Sequence, residues 1–228
     1  MANATKMLPS LATGDNLSRE EFIEIWEQLP DIKRAELIGG MVLMPSPTTI
    51  DHGDMDNNAA GWICYYKAMT PGCAGGSNST IFLLDDVPQP DANLRIITEF
   101  GGKSWVEGKY LHGSPELLLE VCNTTGAIDL HQKLELYEEA RVQEYLVIVV
   151  QKKEIRWHRL VKGKYKLLTA DAQGVFRSVA FPGLWLDRKA LFADDIAKVI
   201  ASLQSGIDSD DHQKFVDDLA KRKRAAKK

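Results

Sequence analysis

The order of apolar patterns along this chain predicts an α/β fold, a central mixed β-sheet flanked by helices rather than a doubly wound sheet. Three observations carry that reading. Residues 117–121 and 144–150 form near-continuous apolar runs, too uniform for strands wetted on one face, so both are central strands. Helically spaced apolar residues precede and separate these runs. Shorter strand patterns bounded by turn residues supply the rest, in the order helix, hairpin, helix, strands, helix, strand, meander.

Each element has a local cause. Ser18-Arg-Glu-Glu21 is a capping-box signature, followed at helical spacing by Phe22, Ile25, Trp26 and Leu29, and Pro30 ends that helix. Residues 36–45 read as a hairpin turning at Gly39-Gly40. A second helix runs from Asp51 to about Met69 on Met55, Ala59, Trp62, Ile63 and Tyr66, closed by Pro71-Gly72. Residues 80–84 form a short strand with a turn at Asp85-Asp86, and Asp91 begins another through Leu94, Ile96 and Ile97. Glycines among charges in residues 99–113 read as a mobile loop. Residues 128–140 are helical, with Leu130, Leu134 and Tyr137 on one face and Lys133 beside it. Residues 154–160 and 165–168 make a meander turning at Lys162-Gly163. Pro182-Gly-Leu-Trp-Leu-Asp187 leads into a helix through Ala190, Leu191, Ile196 and Ile200, and a polar break at 205–211 precedes a last, basic helix. The expected organisation is a flexible lead-in over 1–16, one domain over 17–204 and a basic tail over 205–228.

Composition limits the function classes. A net charge of −4 opposes indiscriminate coating of nucleic acid, although a local basic groove remains compatible with it. The 44% hydrophobic and 26% charged content suits one ordinary core. Cys64, Cys73 and Cys122 show no CxxC pair and no zinc-finger histidine spacing, which argues against a disulfide framework or structural zinc. No run reaches the length of a membrane span and no signal pattern opens the chain, so cytoplasmic residence is expected.

The candidate chemistry centres on Pro90-Asp91, Glu120 and Lys133. Glu120 is embedded in Glu116-Leu-Leu-Leu-Glu-Val-Cys122, and a carboxylate in such a run is costly unless it meets something positive. Asp91 and Glu120 are hard oxygen donors suited to Mg²⁺ or Mn²⁺. Lys133 is a cation able to orient water and stabilise developing negative charge, and Glu36 is a third acid at a strand start. Other readings of the same residues stay open: Asp91 shaping a turn, Lys133 on a solvated helix face or paired with Asp129, and Glu36 paired with Arg34 or Lys33. His52-Gly53 can face a phosphate or simply begin a helix, and Cys122 reads as packing rather than as a nucleophile. The terminal Lys/Arg run from Lys221 offers phosphate contacts or a solvated end.

At these residues the chain resembles the Uma family of predicted endonucleases, within the restriction-endonuclease-like PD-(D/E)xK superfamily. The motifs are Glu36-Leu-Ile-Gly-Gly, Met44-Pro-Ser-Pro followed by His52-Gly53, Gln89-Pro-Asp91, Pro115-Glu-Leu-Leu-Leu-Glu-Val121, Asp129 with Gln132-Lys-Leu-Glu-Leu-Tyr137, Glu144-Tyr145 and Pro182-Gly-Leu-Trp-Leu186. The resemblance implies a mixed sheet flanked by helices, DNA as substrate, and a divalent metal on Asp91 and Glu120. It also implies Glu36 as the early acid and a catalytic lysine moved from position 122, here cysteine, to Lys133 on the next helix. Departures at Asn123-Thr124-Thr125 and Val142-Gln143 bear on loop shape rather than on the acids or the lysine. A homodimer would suit two-strand cutting, though no heptad or apolar stripe indicates one. The rival classes are a nuclease-fold protein that binds nucleic acid without cleaving it, and a scaffold in which the acids form a structural network.

Overall fold

The computed structural model describes residues 9–45, 49–123 and 131–226. Helix α1 (Arg19–Trp26) starts at a complete capping box, with Ser18 Oγ accepting from the Glu21 N–H and the Glu21 carboxylate accepting from the Ser18 N–H at 2.9 Å. Strands β1 (Glu36–Ile38) and β2 (Met41–Leu43) form a hairpin. Its turn residues Gly39 and Gly40 have φ of +59° and +75°, the geometry that favours glycine at both positions. Helix α2 (Ile50–Met69) buries the five residues its spacing predicts, Met55, Ala59, Trp62, Ile63 and Tyr66.

Strands β3 (Cys73–Ser77), β4 (Ile81–Phe82) and β5 (Ala92–Ile96) follow, then a 3₁₀ turn (Thr98–Phe100), β6 (Ser104–Glu107), β7 (Tyr110–Gly113) and β8 (Leu117–Cys122). After helix α3 (Lys133–Glu139) come β9 (Glu144–Val149), β10 (Glu154–Val161), β11 (Lys164–Leu167), β12 (Val175–Arg177) and β13 (Trp185–Asp187). Helices α4 (Arg188–Phe192), α5 (Ile196–Ile207) and α6 (Asp210–Ala226) close the chain.

The central sheet has the order β11-β10-β9-β8-β5-β3. The β8/β9 pair is parallel and the others are antiparallel, so the sheet is mixed, as the sequence predicts. One face packs against α2, α5 and α6 through Trp62, Tyr66, Leu119, Leu203 and Leu219. The other packs against α3 and the hairpin through Leu118, Tyr137, Tyr145 and Val147. Both central strands are buried along their whole length, which is why they read as continuous apolar runs.

Several expectations are revised. Residues 99–113 are the 3₁₀ turn and the β6–β7 hairpin rather than a mobile loop, and β7 also pairs in parallel with β4. Strand β3, Cys-Ala-Gly-Gly-Ser, carries no strand propensity of its own and is held by its ladder to β5. The expected helix through Ala190 and Ile200 is two helices, broken where Asp194 turns to φ +55° and Asp195 caps α5. The lead-in is tied down over 9–16, with Leu11 buried and Gly14 N–H donating to Val42 O. The segment read as a tail from 205 is also docked. Helix α5 runs on to Ile207, and α6 buries His212 and Leu219 and sets Lys223 4.6 Å from the Phe100 ring centre. Ser46, Pro47, Asp129 and the start of the helix predicted from residue 128 lie outside the described residues. Among the described residues, no helix is long and apolar enough to cross a membrane.

Candidate active site

Topology builds the site. Parallel pairing of β8 with β9 requires a crossover back along the sheet, and α3 lies within it. Its first residue, Lys133, reaches β8 near that strand's C-terminal end. Alternation along β8 sends Leu117, Leu119 and Val121 toward α2, and Leu118 and Cys122 toward α3. Glu120 shares the α3 face. In the antiparallel β5/β8 register Ala92 faces Leu119, and Asp91, the residue just before β5, turns its carboxylate onto the Val121 N–H, next to Glu120 in the chain.

The side chains meet closely. Lys133 Nζ lies 2.8 Å from Glu120 Oε1 and 3.0 Å from Glu36 Oε1. Tyr137 OH donates to Glu120 Oε1 at 3.1 Å, and the Gln89 N–H donates to Glu36 Oε1 at 2.6 Å. Asp91 Oδ2 accepts the Val121 N–H at 2.8 Å, while Oδ1 accepts Arg34 Nη2 at 3.0 Å. Lys133, Glu120 and Asp91 are 2%, 4% and 5% exposed. Such burial rules out a solvated helix face for Lys133, and Glu36 pairs with Lys133 rather than with Arg34 or Lys33. Glu36 comes within reach because Leu37 bridges to Val87, drawing β1 alongside the segment that leads to Asp91.

Three further residues join this cluster without having been singled out by sequence. Arg34 pairs with Asp91, and Tyr137, read only as part of an apolar face, turns its hydroxyl onto Glu120. Asp56 on α2 is half-buried, and its Oδ1 has no hydrogen-bond partner among the described residues. Burial first, and then the charge of Asp91, push the Asp56 carboxyl above its ordinary range, with His52 and Arg34 opposing. The available signal was His52 and Asp56 at i,i+4, a polar pair bordering the apolar stripe of α2.

These acids are tied to cations and backbone N–H groups rather than converged on a centre. Among the described residues no group of three His, Cys, Asp or Glu side chains is disposed to hold an ion. The donor set nevertheless fits a hard divalent cation. All the acids offer oxygen, Asp91 is hydrogen-bonded to the residue that follows Glu120, and Asp56 presents a buried oxygen that no described group satisfies.

A family model described as "Putative restriction endonuclease", Uma2, matches residues 19–189, well over half of the chain. The chain belongs to the Uma2 family. In this Uma2 member the matched span runs from α1 into α4, so it includes Glu36, Asp91, Glu120 and Lys133 and leaves α5 and α6 outside. Among solved structures the fold is similar to that of "a putative nuclease belonging to DUF820 from Anabaena variabilis ATCC 29413". The TM-score is 0.60 at 14% identity, covering 78% of this chain and 98% of the other, a likeness of fold alone. No curated protein matches this Uma2 chain. Family and fold together support a nuclease.

Proposed function

We propose that this Uma2 protein is a divalent-metal-dependent endonuclease that hydrolyses DNA phosphodiester bonds. The observation that carries the reading is the gathering of two buried acids at the adjoining ends of β5 and β8, Asp91 on the Val121 N–H and Glu120 beside it, with buried Lys133 locked onto Glu120. A charged cluster sealed in a sheet end is costly to fold, and metal-assisted chemistry gives it a use. Asp91 and Glu120 would hold Mg²⁺ or Mn²⁺, with Glu36 as the auxiliary acid. The ion, when bound, supplies Lewis acidity and lowers the pKa of a coordinated water.

The chain's own residues do the positioning. Glu36 and Glu120 fix the Lys133 ammonium from two sides, which would hold its charge in a set position as negative charge grows on a phosphate bound beside the acids. Tyr137 and the Val121 N–H orient Glu120 and Asp91 respectively. In hydrolysis the water oxygen bonds to phosphorus, the bond from phosphorus to the leaving sugar oxygen breaks, and that oxygen takes up a proton. Exposed Lys221, Arg222 and Arg224 at the end of α6 offer sequence-independent phosphate contacts away from the acids.

A second reading has its own observation. Asp91 and Glu120 already carry cationic partners, which suits an ion-pair network in a protein that binds nucleic acid without cutting it. Mn²⁺ titration followed by thermal unfolding separates the two. A metal site raises the unfolding temperature by mass action, and Asp91→Ala abolishes the rise. No shift in the wild type would leave the ion-pair network.

A further inference from the structure

Two cations serve the acids at the strand ends, and they are held differently. Lys133 is sealed between Glu36 and Glu120, its side chain 3% exposed. Arg34 is the more open of the two, its side chain 34% exposed, with Nη2 3.0 Å from Asp91 Oδ1. It belongs to the irregular chain just before β1, so turning it breaks no helix or strand. Its charge also acts on Asp56, opposing the effects of burial and Asp91 there. The guanidinium sits on a buried carboxylate that leads into β5, where a divalent cation would be attracted. Asp91 Oδ2 already accepts the Val121 N–H, so an ion that binds Asp91 through Oδ1, alone or together with Oδ2, competes with Arg34.

We propose that Arg34 is a placeholder cation that becomes a phosphate contact. It neutralises Asp91 in the metal-free protein, yields Oδ1 to the ion, and turns its guanidinium onto a non-bridging oxygen of the nucleic-acid phosphate. This rests on the reading of Asp91 as a metal ligand. The chemistry favours such an exchange. An ion pair whose cation is about a third exposed yields more readily than one sealed on both sides, and a planar guanidinium with five donors matches phosphate in two-pronged geometry. A carboxylate freed of its guanidinium is then a stronger ligand for the ion.

The test combines Arg34→Met and Arg34→Lys with two measurements that involve no cleavage. Calorimetric titration with Mn²⁺ and no DNA should show Arg34→Met binding about threefold to fivefold tighter than wild type, the worth of the competing pair. Arg34→Lys, which keeps the charge beside Asp91, should stay near wild type. Fluorescence anisotropy with a DNA duplex should show Arg34→Met losing roughly tenfold in affinity when Ca²⁺ fills the oxygen site, and little in chelator. Arg34→Met that binds Mn²⁺ as wild type does, or more weakly, overturns the placeholder role, as does an equal loss of DNA affinity with and without Ca²⁺. A wild type that takes up no Mn²⁺ overturns the metal reading and this inference with it, which keeps the two failures distinct.

Discussion

Lys133→Met removes a charge from between two buried carboxylates while keeping most of the side-chain volume. In the wild type, Nζ sits 2.8 Å from Glu120 and 3.0 Å from Glu36, with the Lys133, Glu120 and Glu36 side chains 3%, 5% and 16% exposed. Deleting one partner of a buried pair costs about 3–5 kcal/mol, because the charge left behind has neither water nor counter-ion. The lower end applies here. Glu120 retains the Tyr137 hydroxyl, and Glu36 retains the Gln89 N–H and some hydration. A loss of about 3 kcal/mol lowers the unfolding temperature of a chain this size by roughly 6–12 °C. The assay is thermal unfolding by circular dichroism at neutral pH in chelator, for wild type, Lys133→Met and Lys133→Met with Glu120→Gln. The double variant should recover much of the loss, since a neutral amide needs no cation. A Lys133→Met protein within about 1 kcal/mol of wild type would refute the picture of a locked, buried cation.

Asp91→Ala should abolish Mn²⁺-induced thermal stabilisation while costing the metal-free fold about 1–3 kcal/mol, because the buried Val121 N–H loses its acceptor; differential scanning calorimetry with and without Mn²⁺ reads both. Glu144→Gln should cost about 2–4 kcal/mol in urea unfolding, since Trp157 Nε1, Ser178 Oγ and the Val179 and Ala180 N–H groups all donate to that buried carboxylate and an amide would turn donors against them. Burial holds the His212 imidazole below its ordinary 6.5, with Asp208 opposing. The unfolded chain therefore takes up that proton first. The His212 contribution is complete above pH about 6.5 and is lost as pH falls toward the folded value, so His212→Gln should flatten that part of a stability–pH curve.

The sequence exposed the sheet centre and the acids more readily than the edges, for physical reasons. Strands β8 and β9 are buried on both faces, so their apolar runs are nearly continuous, and Glu120 stands out as the charge inside the β8 run while Glu144 opens β9. Helix α2 follows its period because one stripe alone is buried. Strand β3 was illegible because Gly75 and Gly76 carry no side-chain pattern. At Gly75 a Cβ would lie 2.4 Å from Asn93 O, so close approach of the neighbouring strand, rather than propensity, selects glycine there. The β6–β7 hairpin left a signal in Gly108 between two short alternating runs, masked by the charges around it. At the site, Glu36, Glu120 and Lys133 could be named from their place in strands and a helix, whereas the roles of Asp56 and Tyr137 left no distinct mark on the helices that carry them. Arg34 and Gln89 lie in irregular chain, and the pairing that brings them to Asp91 and Glu36 arises only from the tertiary arrangement of β1 beside residues 87–91.

Plasmid nicking tests the proposed activity most directly. Wild-type protein with Mn²⁺ or Mg²⁺ should convert supercoiled DNA to open-circular or linear forms, and chelator should abolish the conversion. Lys133→Met should retain metal binding while losing on the order of 10²–10³-fold in rate, as removal of a preorganised electrostatic donor does. Wild-type protein that binds DNA but leaves plasmid intact across metals and substrates would contradict the nuclease assignment and leave a binding protein built on a nuclease fold.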